Sequence, residues 1–92
     1  MIKSVKGSAT RHFLVTGKPK FKGLDVALAT QRLIELNAAT SLDDLEHLNS
    51  AGLHKLKAPY RRYWSIEVNG PWRIWFVFAD GNATEVHIND RH

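Results

Sequence analysis

The stretch that decides the fold is YWSIEVNGPWRIWFVFADGNATEVHIN, residues 63–89. In its first part Trp64, Ile66 and Val68 alternate with Tyr63, Ser65 and Glu67. A period of two is the mark of a half-buried strand, because successive side chains leave opposite faces of the backbone. Asn69-Gly70-Pro71 then predicts a turn. The run from Trp72 to Phe78 is apolar on both faces except for Arg73, which predicts a central strand covered on both sides. Asp80-Gly81-Asn82 predicts a second tight turn, and Thr84–Asn89 a third strand with Val86 and Ile88 pointing inward. Three strands joined by short turns make an antiparallel β-meander.

Working outward, the upstream sequence changes period. Val26, Ala29, Leu33 and Leu36 recur at spacings of three and four, with Ile34 widening the stripe, so a helix is predicted over Leu24–Ala39 with Gln31, Arg32 and Glu35 facing water. An earlier helix is predicted from Ser8, read as its N-cap, to Gly17 ahead of Pro19. Ser41 followed three residues later by Asp44 approximates a capping box and predicts a short helix to about Leu48, with a turn over Asn49–Gly52. Ile2–Lys6 reads as a short first strand closed by Gly7. The expected fold is therefore α+β, an N-terminal strand and helices packed on one face of an antiparallel meander, with residues 1–92 forming a single domain.

Composition narrows the chemistry. At 43% hydrophobic and 24% charged residues, the chain has the apolar content to fold and not the profile of a disordered one. It contains no cysteine, which excludes a disulfide framework and cysteine-ligated metal sites. No apolar run approaches the ~20 residues of a bilayer span and no secretory leader is legible, so a cytoplasmic location and no membrane partner are expected. The net charge of +4 is unevenly distributed. Lys3, Lys6, Arg11, Lys18, Lys20 and Lys22 face no acid within the first 22 residues, whereas residues 23–50 carry one base against Asp25, Glu35, Asp43, Asp44 and Glu46. Such segregation suits a surface that meets a polyanion.

Four sets of residues stand out chemically. Arg73 sits in the middle of an apolar strand and cannot shed its charge, so it needs either a carboxylate, Glu67 or Asp90, or a ligand anion such as phosphate. Asp90-Arg91-His92 follows the last strand directly, and alternation predicts that Asp90 and His92 share a side; a carboxylate and an imidazole beside a cation can move protons around a phosphodiester. In His54-Lys55-Leu56-Lys57, alternation predicts His54 and Leu56 on one side and Lys55 and Lys57 on the other. Arg61 and Arg62, with Tyr60, Tyr63 and Trp64 nearby, form a basic and aromatic segment that could hold phosphate and stack a base, although aromatic side chains in a small sheet more often fill the core. His12, His47 and His87 show no metal-ligand spacing, and no glycine-rich phosphate loop is present. Neither a metal nor another cofactor is expected.

Met1-Ile2-Lys3-Ser4, Leu53-His54-Lys55-Leu56-Lys57, Tyr63-Trp64-Ser65-Ile66, Trp72-Arg73-Ile74 and Asn89-Asp90-Arg91-His92, taken in order and spacing, resemble HigB toxins of the RelE superfamily over essentially the whole chain. The resemblance implies a RelE-like fold and a ribosome-dependent endoribonuclease that cuts messenger RNA in the 30S decoding site, neutralised by a helix-turn-helix antitoxin, HigA. It implies an active site of His54, Lys57, Arg73, Asp90, Arg91 and His92. Position 91 departs from the pattern, since HigB toxins commonly carry tyrosine there, and arginine cannot donate a proton as a phenol can.

On this reading the ribose 2′-hydroxyl attacks the adjacent phosphate without a metal, Asp90, His92 and His54 exchange protons, and Lys57, Arg73 and Arg91 stabilise the phosphate charge. Lys18, Lys20 and Lys22, together with Arg61 and Arg62, are the expected contacts to ribosome and RNA. Two rivals are a non-catalytic inhibitor of DNA gyrase like the ParE branch of the superfamily, and a nucleic-acid-binding module that Arg91 has deprived of activity.

Overall fold

In a computed structural model, which describes residues 1–46 and 52–90, the meander forms as read. A two-residue strand β1 (His54–Lys55) is followed by β2 (Trp64–Glu67), β3 (Trp72–Ala79) and β4 (Asn82–Asp90), all antiparallel and hydrogen-bonded in the order β1-β2-β3-β4. The register builds two cross-strand rows on one face. His54, Ser65, Trp75 and His87 stand opposite one another in the first, and Glu67, Arg73 and Asn89 in the second. The other face carries Ile66, Ile74, Phe76 and Ile88, all buried.

That buried face is covered by α1 (Ser8–Thr16), α2 (Val26–Ala38) and α3 (Leu42–Glu46). Phe13, Leu33, Leu36 and Leu45 join the sheet residues and Val86 in one apolar cluster. Each large apolar side chain removed from water there is worth roughly 1.5–3 kcal/mol. β3 is central as expected, but only one of its faces is closed. Arg73, Trp75 and Val77, on the other, are half-buried, because among the described residues the helices all lie on the opposite face.

Local chemistry shifts several boundaries. α1 begins at Ser8, and its N-cap is Gly7, without a side-chain bond, so Ser8 is the first helical residue and not the cap. Gly17 ends α1 in a left-handed conformation (φ 73°), its N–H donating to the Phe13 carbonyl at 2.8 Å; a side chain there would be strained. α2 starts two residues later than predicted because Asp25 caps it, Oδ1 accepting from the Leu28 N–H at 3.0 Å. Arg32, expected in water, is 5% exposed. It pairs with Glu35 at 2.7 Å and donates from Nε to the Glu67 carbonyl at 3.3 Å, where β2 ends. At α3, the Asp44 carboxylate reaches back to the N–H groups of Thr40 and Ser41 (2.8 and 3.3 Å), the return arm of the predicted capping box. The predicted end near Leu48 and most of the Asn49–Gly52 turn lie outside the described residues.

The N-terminal segment forms less than the strand expected over Ile2–Lys6. Ile2 and Val5 make separate parallel bridges to Ala83 and Val86 on the free edge of β4. The interruption has a cause in β4 itself. Pairing passes from Trp75 opposite His87 to Val77 opposite Thr84, so β4 holds one extra residue, and Glu85 takes a left-handed φ of 52°. This bulge turns the Glu85 N–H toward the Ser4 hydroxyl (2.8 Å) instead of a backbone carbonyl.

Candidate active site

The open face of the sheet holds a cavity of about 300 Å³. Its floor and walls follow from the register. Ser65 and Trp75 come from the first cross-strand row, Glu67 and Arg73 from the second, and His54 closes the β1 side. The loop between β1 and β2 adds Leu56, Lys57 and Tyr60. Lys57 reaches the cavity although alternation placed it opposite to His54. The chain leaves the sheet after Lys55 and turns, with the Tyr60 N–H donating to the Lys57 carbonyl at 2.9 Å, so a period of two no longer applies. His54, Lys57 and Tyr60 are exposed, and Ser65 is buried.

Arg73 is the electrostatic centre of this cavity. Its side chain is 11% exposed, and Nη2 lies 3.1 Å from Glu67 Oε1, directly across the β2–β3 ladder. Nη1 donates to the Trp72 carbonyl at 3.3 Å. The carboxylate that sequence reasoning required is therefore Glu67, but the ligand reading survives it. A guanidinium has five N–H donors in a rigid fork, and two such bonds leave part of the fork available at the cavity. Glu67 is itself held in place. Its carbonyl accepts from Arg32, and its carboxylate sits against Gly52, whose φ is +57° and at which an added Cβ would approach Oε2 to 2.6 Å.

Next to the cavity, Trp75 packs against Tyr60, Tyr63 and His87, with ring centroids 5.2, 5.8 and 5.6 Å away. Tyr63 is buried, and its hydroxyl donates to Glu85 Oε1 at 2.8 Å while accepting from Lys6 Nζ and Arg62 Nη2, each at 3.2 Å. Arg62, expected to contact RNA, also pairs with Glu85 at 2.6 Å. His87 Nδ1–H donates to the Glu85 carbonyl at 2.8 Å. Burial pushes the His87 imidazole below its usual 6.5, with the nearby Lys6 charge acting in the same direction against the hydrogen bond and the carboxylate of Glu85.

The remaining predicted residues distribute as follows. Asp90 stands opposite Trp72 at the end of β4, one position beyond the Arg73–Asn89 pair, and does not line the cavity. Arg91 and His92 lie outside the described residues. Lys18, Lys20 and Lys22 are exposed on the α1–α2 connection. That connection is fastened to the sheet, because Trp72 Nε1 donates to the Lys22 carbonyl at 3.0 Å and the Asn69 amide donates to the Gly23 carbonyl at 2.8 Å. Its basic side chains thus sit at the end of the sheet that carries Arg73. Arg61 is exposed on the β1–β2 loop.

Ser65 and Trp75 were not singled out as site residues from sequence, Tyr60 was named only within the basic and aromatic segment around Arg61 and Arg62, and Glu67 only as an ion-pair partner. The signal was present in the alternation itself, which sets Tyr63, Ser65 and Glu67 on the face opposite Ile66. Among the described residues no group of three or more His, Asp or Glu side chains could hold a metal ion, and no helix is long and apolar enough to cross a membrane.

Comparison with known proteins points the same way. The model of a family described as RelE-like toxin of type II toxin-antitoxin system HigB matches residues 20–92. A relative from Proteus vulgaris, Endoribonuclease HigB, is 33% identical over 93 residues, covering all of both chains. Neither match favours the gyrase-inhibiting alternative.

Proposed function

This chain belongs to the HigB-like toxin family of type II toxin–antitoxin systems, and we propose on that premise that it is an endoribonuclease whose reaction takes place at the cavity of His54, Lys57 and Arg73. The observation that carries the proposal is the convergence of these three side chains, drawn from a strand, a loop and a second strand, around a guanidinium only partly engaged by Glu67. An imidazole able to exchange a proton next to two cations able to hold a phosphate is suited to phosphodiester cleavage.

The substrate is messenger RNA on the ribosome, and the reaction is internal transesterification. The ribose 2′-oxygen attacks the adjacent phosphorus as the bond to the 5′-oxygen breaks. A base from the C-terminal end of β4, Asp90 or His92, takes the 2′ proton, with Asp90 reached from outside the cavity lining, next to the Asn89 that pairs with Arg73, and an acid, the other of the pair or His54, supplies one to the leaving oxygen. The products are a 2′,3′-cyclic phosphate and a 5′-hydroxyl. Lys57, Arg73 and Arg91 stabilise the charge that grows on the phosphate oxygens. A positioned acid or base is worth roughly 10² to 10⁴ in rate. So small a set cuts mobile RNA slowly, and a decoding site that holds the strand in a reactive geometry supplies the rest.

A type II toxin has an antitoxin, and here a HigA-like helix-turn-helix protein fills that role. Lys18, Lys20 and Lys22 dock on ribosomal RNA. The direct test is cleavage of a defined messenger in a purified translation system, with fragment ends mapped and their 5′-hydroxyl and cyclic phosphate termini verified. Arg73→Ala and His54→Ala should each lose at least about 10² in rate while remaining folded. Intact messenger with the wild-type protein, or full activity in both variants, overturns the proposal.

A further inference from the structure

Ser65 is 3% exposed and lines the cavity. Among the described residues no buried side-chain polar atom lacks a hydrogen-bond partner, so what the Ser65 hydroxyl can offer a ligand lies where the residue meets the cavity. Here it stands on the cavity floor between His54 and Trp75 in the first cross-strand row. The wall above it is aromatic, formed by the Trp75 ring and by Tyr60, which is 50% exposed and meets Trp75 edge to face at 5.2 Å. Arg73 lies in the next row of the same face, about 7 Å along the strands by ordinary sheet geometry.

From this juxtaposition we infer that the cavity contains a nucleobase subsite, in which a base stacks on Tyr60 and Trp75 and offers an edge to the Ser65 hydroxyl while its own phosphate rests on Arg73. The inference rests on the RNA-cleaving function proposed above and adds how one nucleotide is selected. Chemistry favours a base over another occupant. A flat, apolar ring system with a polar edge matches an aromatic wall with one hydroxyl at its foot, and the cation one row away matches the phosphate attached to it. Stacking is indifferent to base identity, whereas a hydroxyl contact is not. Tyr60 and Trp75 therefore contribute affinity and Ser65 contributes discrimination. Tyr60 is the side chain to vary, because Trp75 also supports Tyr63 and His87.

The test is a chemical-shift titration of the full chain with the four nucleoside 3′-monophosphates, ribose 5-phosphate and inorganic phosphate. It is repeated on Tyr60→Ala, Tyr60→Phe and Ser65→Ala, each first shown to be folded by its melting curve. The nucleotides should bind on the order of tenfold more tightly than ribose 5-phosphate, with shifts centred on the Trp75 indole. Tyr60→Ala should remove about tenfold and Tyr60→Phe should retain the affinity. Ser65→Ala should compress the ranking of the four bases by roughly three- to tenfold and leave ribose phosphate unaffected. Equal binding of nucleotides and ribose phosphate, no binding at 10 mM nucleotide (on the order of the weakest useful affinity), or an unchanged ranking in Ser65→Ala would overturn the subsite. Because the titration contains no ribosome, its outcome is separate from that of cleavage: a protein that binds bases in this way yet leaves messenger intact keeps the subsite and loses the proposed activity.

Discussion

Replacing Glu67 with glutamine should make the protein bind RNA more tightly, contrary to the usual effect of removing an ion-pair partner beside an active site. Glu67 has two effects on Arg73, neutralising its charge and contacting one edge of its fork at 3.1 Å. The first opposes phosphate binding and the second assists it. The structure decides between them. The Arg73 side chain is only 11% exposed and is also bonded to the Trp72 carbonyl, so burial and backbone hold it without the carboxylate charge, and a glutamine oxygen can still accept from Nη2. What the substitution removes is a negative charge about 6 Å from a phosphate seated on the fork. With the Glu67 side chain 42% exposed, an effective dielectric of about 40–80 applies, and the repulsion removed is roughly 1 kcal/mol, or about fivefold in affinity. The loss in stability should stay under about 1 kcal/mol, since a pair with one well-exposed partner is worth little. The assay is ribosome-programmed cleavage at varied substrate concentration and low salt. KM should fall about fivefold with kcat within about twofold, and the gain should shrink as salt rises. A higher KM, or a tenfold loss in kcat, would refute the argument and mean that the carboxylate itself positions the guanidinium or takes part in proton transfer.

Gly52→Ala should destabilise the fold by about 1–2 kcal/mol through its left-handed backbone and displace Glu67 by collision with Oε2, so its KM should move in the same direction as that of Glu67→Gln; a rise in KM would contradict the link. For His87, the folded pKa lies below the unfolded 6.5, so the unfolded chain binds more protons below that value. The resulting stability is complete above pH 6.5, is lost as pH falls through the folded pKa, and levels off below it; urea midpoints of His87→Phe should vary less with pH than those of the parent across that window. Charge reversal at Lys18, Lys20 and Lys22 should weaken ribosome binding and flatten its salt dependence, which sedimentation at graded potassium concentrations would measure. Phe76→Ala, at a fully buried site, should cost about 3–5 kcal/mol, a loss that a calorimetric melt would reveal and that a shift under about 1 kcal/mol would disprove.

The meander was legible in the sequence because its information is local. Period-two alternation and tight turns fix both the strands and which residues share a face, and the positions of Ile66, Ile74, Phe76 and Ile88 follow from counting. What escaped reading depends on pairings between distant segments. The bulge at Glu85 adds one residue to β4 and breaks the N-terminal strand into two bridges, and no turn residue or glycine announces it. Arg32 reads as a solvated helix charge until the end of β2 arrives beside it with the Glu67 carbonyl. Lys57 changes sides because the chain leaves the sheet before it.

The candidate site shows the same division between local and distant information. Arg73 was visible alone, since a charge within an apolar strand demands a partner, but whether Glu67 or Asp90 supplies it is a question of register. The register gives Glu67 and places Asp90 opposite Trp72. That assignment alters what Arg73 can do. A partner on the neighbouring strand, pressed against Gly52 and only partly buried, neutralises the guanidinium from one side and leaves the cavity side of the fork for an anion. A fully enclosed partner would have consumed the charge as a structural pair. The exposed flank of Glu67 is therefore what separates an arginine that only holds a sheet together from one that can exchange a carboxylate for a phosphate.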